Sequence, residues 1–168
     1  MKRILFLIAV LLALPLFADK PNVIVIMADD MGWECVSAYR DLIAKYNYPK
    51  ANPDEKDHYA TPNIDKLAAE GTRFTQAYCQ GTYCGPSRAS FMSGYYPHAT
   101  GALGYKSPRP QIGDRVTWSQ HFKNNGYYAA RVSKIYHMGV PGGIESGGHG
   151  ADDEASWTER FNSKGPEW

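Results

Sequence analysis

Asn22-Val23-Ile24-Val25-Ile26-Met27-Ala28-Asp29-Asp30 is the stretch from which the fold class is read. The run opened by Asn22 and closed by Met27 is continuous, apolar and β-branched. It is too short for a typical helix and reads as a strand buried on both faces, as in a parallel sheet. It stops abruptly at Asp29-Asp30, the position at which open α/β sheets place their ligands, just beyond a strand's carboxyl end. Two adjacent carboxylates repel unless a cation lies beside them, and a hard divalent ion with oxygen ligands meets that need. Alone, the same pair also describes a solvated turn.

Working outward, residues 31–60 are mixed, carry Pro49 and Pro53 with clustered charge from Lys50 to His58, and read as a long surface excursion. Thr61-Pro62-Asn63-Ile64-Asp65-Lys66-Leu67-Ala68-Ala69-Glu70-Gly71 follows, with an N-cap Thr, a Pro at the first helical position and a closing Gly. Thr72 to Tyr78 alternates loosely and reads as a strand leading to Cys84, and Ser87 to Ser93 reads as a helix just after that Cys. Thr117 and Gln120 have capping-box spacing ahead of a second helix through Lys123, with Gly126 beyond it. Tyr127 to Ser133 is a further strand candidate, and the glycines from Gly139 to Gly150 mark a loop. Strand and helix alternate, which implies an α/β layered fold with a mostly parallel sheet flanked by helices.

Composition excludes several classes. At 168 residues, 43% hydrophobic and 21% charged, the chain is an ordinary globular one without repeats or low-complexity tracts. Its formal charge of +1 falls to −1 without Lys2 and Arg3, so there is no electrostatic case for nucleic acid. Residues 1–18 have the layout of a secretory signal peptide: Lys2-Arg3, an apolar run from Ile4 to Leu14, then Pro15 and Ala18. The run falls short of the roughly 20 residues of a spanning helix, so export to a periplasmic or extracellular space is expected, with no stable membrane anchor. Cys35, Cys79 and Cys84 are an odd count, so in an oxidising compartment at least one stays free or is modified. A Cys79–Cys84 bridge is sterically conceivable, and no Cys/His spacing suggests zinc.

Cys84-Gly85-Pro86-Ser87-Arg88, continuing through Ala89-Ser90-Phe91-Met92-Ser93-Gly94, resembles the Cys-x-Pro-Ser-Arg signature of the type I sulfatases. The Asp29-Asp30 strand and the Thr61-to-Ala68 helix are similar to two further landmarks of that family. The resemblance implies the alkaline-phosphatase-like sulfatase fold, with 19–168 the N-terminal part of its catalytic domain. It also implies that Cys84 is oxidised by a formylglycine-generating or sulfatase-maturing enzyme. The residue at 84 would then be formylglycine, whose hydrate attacks the sulfur of a sulfate ester and passes through a covalent sulfo-enzyme. Ca2+ would be held by Asp29, Asp30 and residue 84. An anion at the start of a helix gains from the helix dipole, and Arg88 lies one turn further on the same face. The family often continues Leu-x-Thr-Gly-Arg, where this chain has Phe91, Ser93, Gly94 and Tyr95.

Val132-Ser133-Lys134-Ile135-Tyr136-His137-Met138-Gly139 resembles the family's Gly-Lys-x-His segment, with Ser133 in place of Gly and two residues between Lys and His. That wider spacing, with Asp152-Asp153-Glu154-Ala155-Ser156-Trp157, is similar to the iduronate-2-sulfatase branch. It implies Lys134 as a sulfate contact and His137 as the base acting on the hydrate. His98 and His121 have no such support, and His121 reads as a helix residue. The implied substrate is a sulfated sugar, a uronic acid sulfate of a glycosaminoglycan or algal polysaccharide, with Trp33, Tyr95, Tyr96 and Tyr105 as candidate stacking residues. Family members run to several hundred residues and take further calcium ligands and leaving-group residues from later in the chain, so the 168 residues alone are expected to be inactive. Two other readings compete. One is a phosphatase or phosphonate hydrolase of the same superfamily, against which Cys84, Pro86 and Arg88 speak. The other is a secreted glycan-binding module with Cys84 unmodified.

Overall fold

The computed structural model describes residues 20–46, 60–138 and 146–162. The leader expected at 1–18 and most of the glycine-rich loop fall outside them. The chain forms two compact units, Met1–Met31 and Gly32–Trp168.

In the first unit, residues 20–28 form neither helix nor ladder among the described residues, and the chain bends at Asp29 and Asp30. The expected doubly buried strand is therefore corrected. Ile24 and Ile26 are 83% and 86% exposed, and Val23 and Val25 are exposed too. β-branched side chains favour extended backbone, but a strand exists only with a neighbour to share its hydrogen bonds. Asp30 has φ 54, in the left-handed region that Asp tolerates better than most residues.

In the second unit, the stretch from residue 32 onward is more than the expected excursion. It holds 3-10 turns at Trp33–Cys35 and Ser37–Tyr39 and helix α1 (Arg40–Lys45), which buries Ile43. Helix α2 spans Pro62–Glu70, with Pro in its first turn and Gly71 at its end. The Thr61 side chain does not cap it. Its hydroxyl accepts from the Ser37 amide at 3.0 Å and donates to Asp65 at 3.0 Å, tying α2 to the preceding turn. Residues 72–78 are irregular with a bend at 75–76, not the expected strand, and Phe74 and Tyr78 are exposed. A loose alternation without a partner strand did not suffice.

Helix α3 spans Cys84–Ser93 and so begins at the Cys itself, earlier than the Ser87 expected from sequence. Pro86 explains the early start, since a proline fits a first helical turn, where its missing N–H is not needed. Gly94 closes the helix with φ 73. Short helices α4 (Pro97–Thr100) and α5 (Arg109–Ile112) lead to α6 (Trp118–Asn124). The Thr117 hydroxyl caps α6 by accepting from the Gln120 amide. The reciprocal half of the capping box is not formed, because the Gln120 side chain accepts from Arg109 at 2.9 Å.

Strand β1 (Ala130–Val132) pairs in parallel with β2 (Glu159–Phe161), Arg131 opposite Arg160. This is an α/β fold with a small parallel sheet, inside the broader strand candidate at 127–133. The core lies between α3 and the segment after β1: Met92, Tyr136 and Trp157 are buried together, with Trp118 and Ile135 packed on them. No described helix is long and apolar enough to cross a membrane.

Candidate active site

Cys84 occupies the first position of α3 and is partly buried. All three cysteines are free thiols, and Cys79 donates to the Gly81 carbonyl at 2.8 Å, so the two neighbours are not bridged. The turn ahead of the helix is tight. A Cβ on Gly85 would sit 2.3 Å from the Gly104 carbonyl oxygen, so only glycine lets the 103–105 loop lie against the first turn of α3. Tyr83, which precedes the Cys, donates its hydroxyl to the Leu103 carbonyl and fixes that loop from the other side.

Four residues into α3, Arg88 is buried, and its Nη1 donates to the Lys134 carbonyl at 3.2 Å and the Ile135 carbonyl at 2.9 Å. The guanidinium thus joins the Cys helix to the Lys-x-x-His segment, which no spacing rule in the sequence signalled. Burial of Tyr136 between Lys134 and His137 pins that segment to the core, and desolvation pushes the Tyr136 phenol well above its ordinary value. The structure therefore brings Cys84, Arg88, Lys134 and His137 onto two adjoining pieces of one unit. His137 is half-buried, its ring stacked on Tyr105 at 4.1 Å between centroids and 22° between planes. Its backbone carbonyl accepts from the Ala151 amide at 2.8 Å.

Ser133 has φ 59. That left-handed conformation is the physical reason a glycine suits the position before the Lys. Ser133 is held there by its amide donating to the Phe161 carbonyl at 2.7 Å and by Arg131 donating to the Ser133 carbonyl at 2.8 Å.

Asp152 and Asp153, noted in the sequence only for their likeness to one branch, are scaffolding for this arrangement. Arg131 donates through Nε and Nη2 to Asp152, at 2.8 and 2.6 Å, and both side chains are almost fully buried. Trp157 also donates to Asp152, at 3.0 Å. Arg109 grips Asp153 with two hydrogen bonds at 2.8 and 2.5 Å. Burial pushes the Asp153 carboxyl up, but hydrogen bonds from Arg109 and Ser156 outweigh it and hold the group below the ordinary range. Arg109 was not singled out in the sequence; its only signal there was a position just inside a Pro-flanked turn.

Residues 21–152 match the family model described as Sulfatase. The chain belongs to the sulfatase family. It is 34% identical over 139 residues to a sulfatase of Formosa agariphila, covering 79% of this chain and 24% of that protein. It is 32% identical over 141 residues to human iduronate 2-sulfatase, with 83% and 22% covered, and 35% identical over 127 residues to bovine arylsulfatase A, with 73% and 22% covered. The chain spans about a quarter or less of the length of these sulfatases.

Among the sulfatase positions named from sequence, Asp29 and Asp30 lie in the first unit, exposed at a bend just after an apolar stretch with no ladder among the described residues. They offer a hard, oxygen-only pair of anionic donors, which fits calcium and suits a thiophilic metal poorly. Tyr95, which stands where many sulfatases carry Arg, has the Arg115 guanidinium 5.0 Å from its ring centroid. A cation therefore lies beside this position, from a different part of the sequence.

Proposed function

We propose that the protein is an exported, formylglycine-dependent hydrolase of sulfate esters on a sugar, with a uronic acid sulfate of a glycosaminoglycan or algal polysaccharide as the substrate class. The observation that carries this reading is the anchoring of Arg88, within the Cys84-x-Pro-x-Arg helix, on the backbone of the Lys134-to-His137 segment. A signature motif alone would support the family; its coupling to a Lys and a His supports a working site. The 32% identity to human iduronate 2-sulfatase and the Lys-x-x-His spacing support the sugar class.

In this proposal Cys84 is converted to formylglycine by a maturing enzyme, supplying a nucleophilic hydrate oxygen that a thiol lacks. Asp29 and Asp30 would hold Ca2+, and the ion would supply positive charge for the sulfate ester. The chain's own residues do the rest. The first turn of α3 presents residue 84 at the positive end of a helix dipole, where sulfate oxygens are stabilised. Arg88 holds the Lys134 segment against that turn, so the Lys134 ammonium offsets sulfate charge as a point cation. The His137 imidazole accepts the proton of the residue-84 hydroxyl as sulfate departs.

The test is multiple turnover by the full-length protein on sulfated uronic acids, alongside matching phosphate monoesters and a Cys84→Ser variant. Release of sulfate, little release of phosphate, and loss of turnover by about a thousandfold or more in the Ser variant are expected. Preferred release of phosphate, with Cys84→Ser unimpaired, favours the phosphatase reading.

A further inference from the structure

His137 is gripped by an aromatic relay that the catalytic assignments leave unused. Tyr105 stacks on its imidazole. Tyr83, directly before Cys84, meets the Tyr105 ring edge-on at 5.7 Å and 89°. The loop bearing Tyr105 is seated on α3 by the Gly104 approach to Gly85 and by the Tyr83 hydroxyl on the Leu103 carbonyl. One ring therefore spans from the residue before the Cys to the His, and two contacts from Tyr83 and the Gly85–Gly104 approach set where that ring lies.

We propose that Tyr105 is a positioning residue whose ring fixes the imidazole plane of His137 relative to the start of the Cys84 helix. This rests on His137 being the base of the proposed reaction. The backbone of His137 is already fixed by the Arg88 bonds to residues 134 and 135 and by the Ala151 amide. Backbone anchoring leaves the side-chain torsions undetermined, and a terminal imidazole torsion is broad by nature. A face-to-face contact on one side removes that freedom. Proton transfer depends on placing the accepting nitrogen within hydrogen-bond reach, so a freed ring costs rate without costing substrate affinity. The stack is a property of the ring and not of the hydroxyl, so phenylalanine should preserve it and leucine should not. Tyr105, named in the sequence as a candidate sugar-stacking residue, has Tyr83 and His137 as ring partners.

The experiment compares Tyr105→Leu, Tyr105→Phe, His137→Ala and the Tyr105→Leu/His137→Ala double variant in the full-length protein, with matched thermal midpoints as the folding control. Steady-state turnover and the His137 ring-proton resonances are both read. Tyr105→Leu should lower kcat about tenfold with KM within about twofold. It should also move the His137 resonances downfield as the ring current is lost, while Tyr105→Phe restores both. On the His137→Ala background, Tyr105→Leu should add nothing further. The proposal is overturned if the His137 resonances of the Tyr105→Leu variant coincide with those of the unsubstituted protein, or if the leucine effect is undiminished on the His137→Ala background. Full activity of His137→Ala is a different failure: it removes the base assignment itself, and the resonances then still report whether the stack exists.

Discussion

The apolar run ending at Asp29-Asp30 and the helix beginning at Cys84 are equally strong as sequence patterns, yet they stand in opposite physical conditions. The first carries four consecutive exposed β-branched residues, Val23 to Ile26, and no ladder among the described residues. The second buries most of its ten residues, admits only glycine at its second position, and is tied through Arg88 to a segment 46 and 47 residues away. A strand takes its stability from neighbours, whereas α3 is held by contacts within its own unit. The lesson is that a motif's chemical content and its structural support are separate properties. The acidic pair stands out for its chemical content; the Cys helix has both.

Substitutions can break this contrast. The largest effect expected is on activity: Asp29→Asn or Asp30→Asn should lower turnover about a hundredfold and weaken calcium binding in calorimetry. Stability of the calcium-free protein should change by less than about 0.5 kcal/mol, since both side chains are exposed. Loss of stability without loss of calcium binding would put these residues on the structural side of the comparison.

On that structural side, Asp153→Ala should cost about 1–3 kcal/mol in denaturant unfolding, because it removes the buried carboxylate that accepts two hydrogen bonds from Arg109 and one from Ser156. The folded pKa of Asp153 is depressed, so its contribution is present above the unfolded carboxylate value of 3.8 and is lost as pH falls through the folded one. Wild-type stability should therefore decline in that acidic window, and the Asp153→Ala protein should decline less. Gly85→Ala should cost about 1–3 kcal/mol by forcing the 103–105 loop off α3. It should lower turnover as well, since the same displacement moves residue 84. The smallest effect is a gain: Ser133→Gly should stabilise by up to about 1 kcal/mol by relieving the left-handed backbone at φ 59. A thermal midpoint that falls instead would mean that the Ser133 side chain contributes more than its strain removes.

The sequence offered candidate site residues before it offered a fold. Cys84, Arg88, Lys134 and His137 were named from spacing and likeness alone, and the helices at 62–70 and 118–124 from Pro, Thr and Gly punctuation. Less legible was everything set by contacts far apart in sequence. The start of α3 moved to Cys84 because Pro86 suits a first turn, while residues 72–78 lacked the partner that would have made their alternation a strand. Arg109 gave almost no signal, and Tyr105 was named only as a candidate sugar-stacking residue, since an ion pair and a stack on His137 have no fixed sequence interval. Ser133 is the instructive intermediate. Its departure from Gly was visible in the sequence, but its meaning required the backbone angle.

In the proposed reaction position 84 works as an aldehyde and not as a thiol. This is tested most directly by mass spectrometry of the peptide spanning Cys79 to Arg88, taken from full-length protein made in a host with a sulfatase-maturing enzyme. Formylglycine is expected at 84 in the active fraction, reactive towards a hydrazide probe, with Cys79 still a thiol. A fully active protein carrying an intact thiol at 84, or a Cys79–Cys84 disulfide, would contradict it.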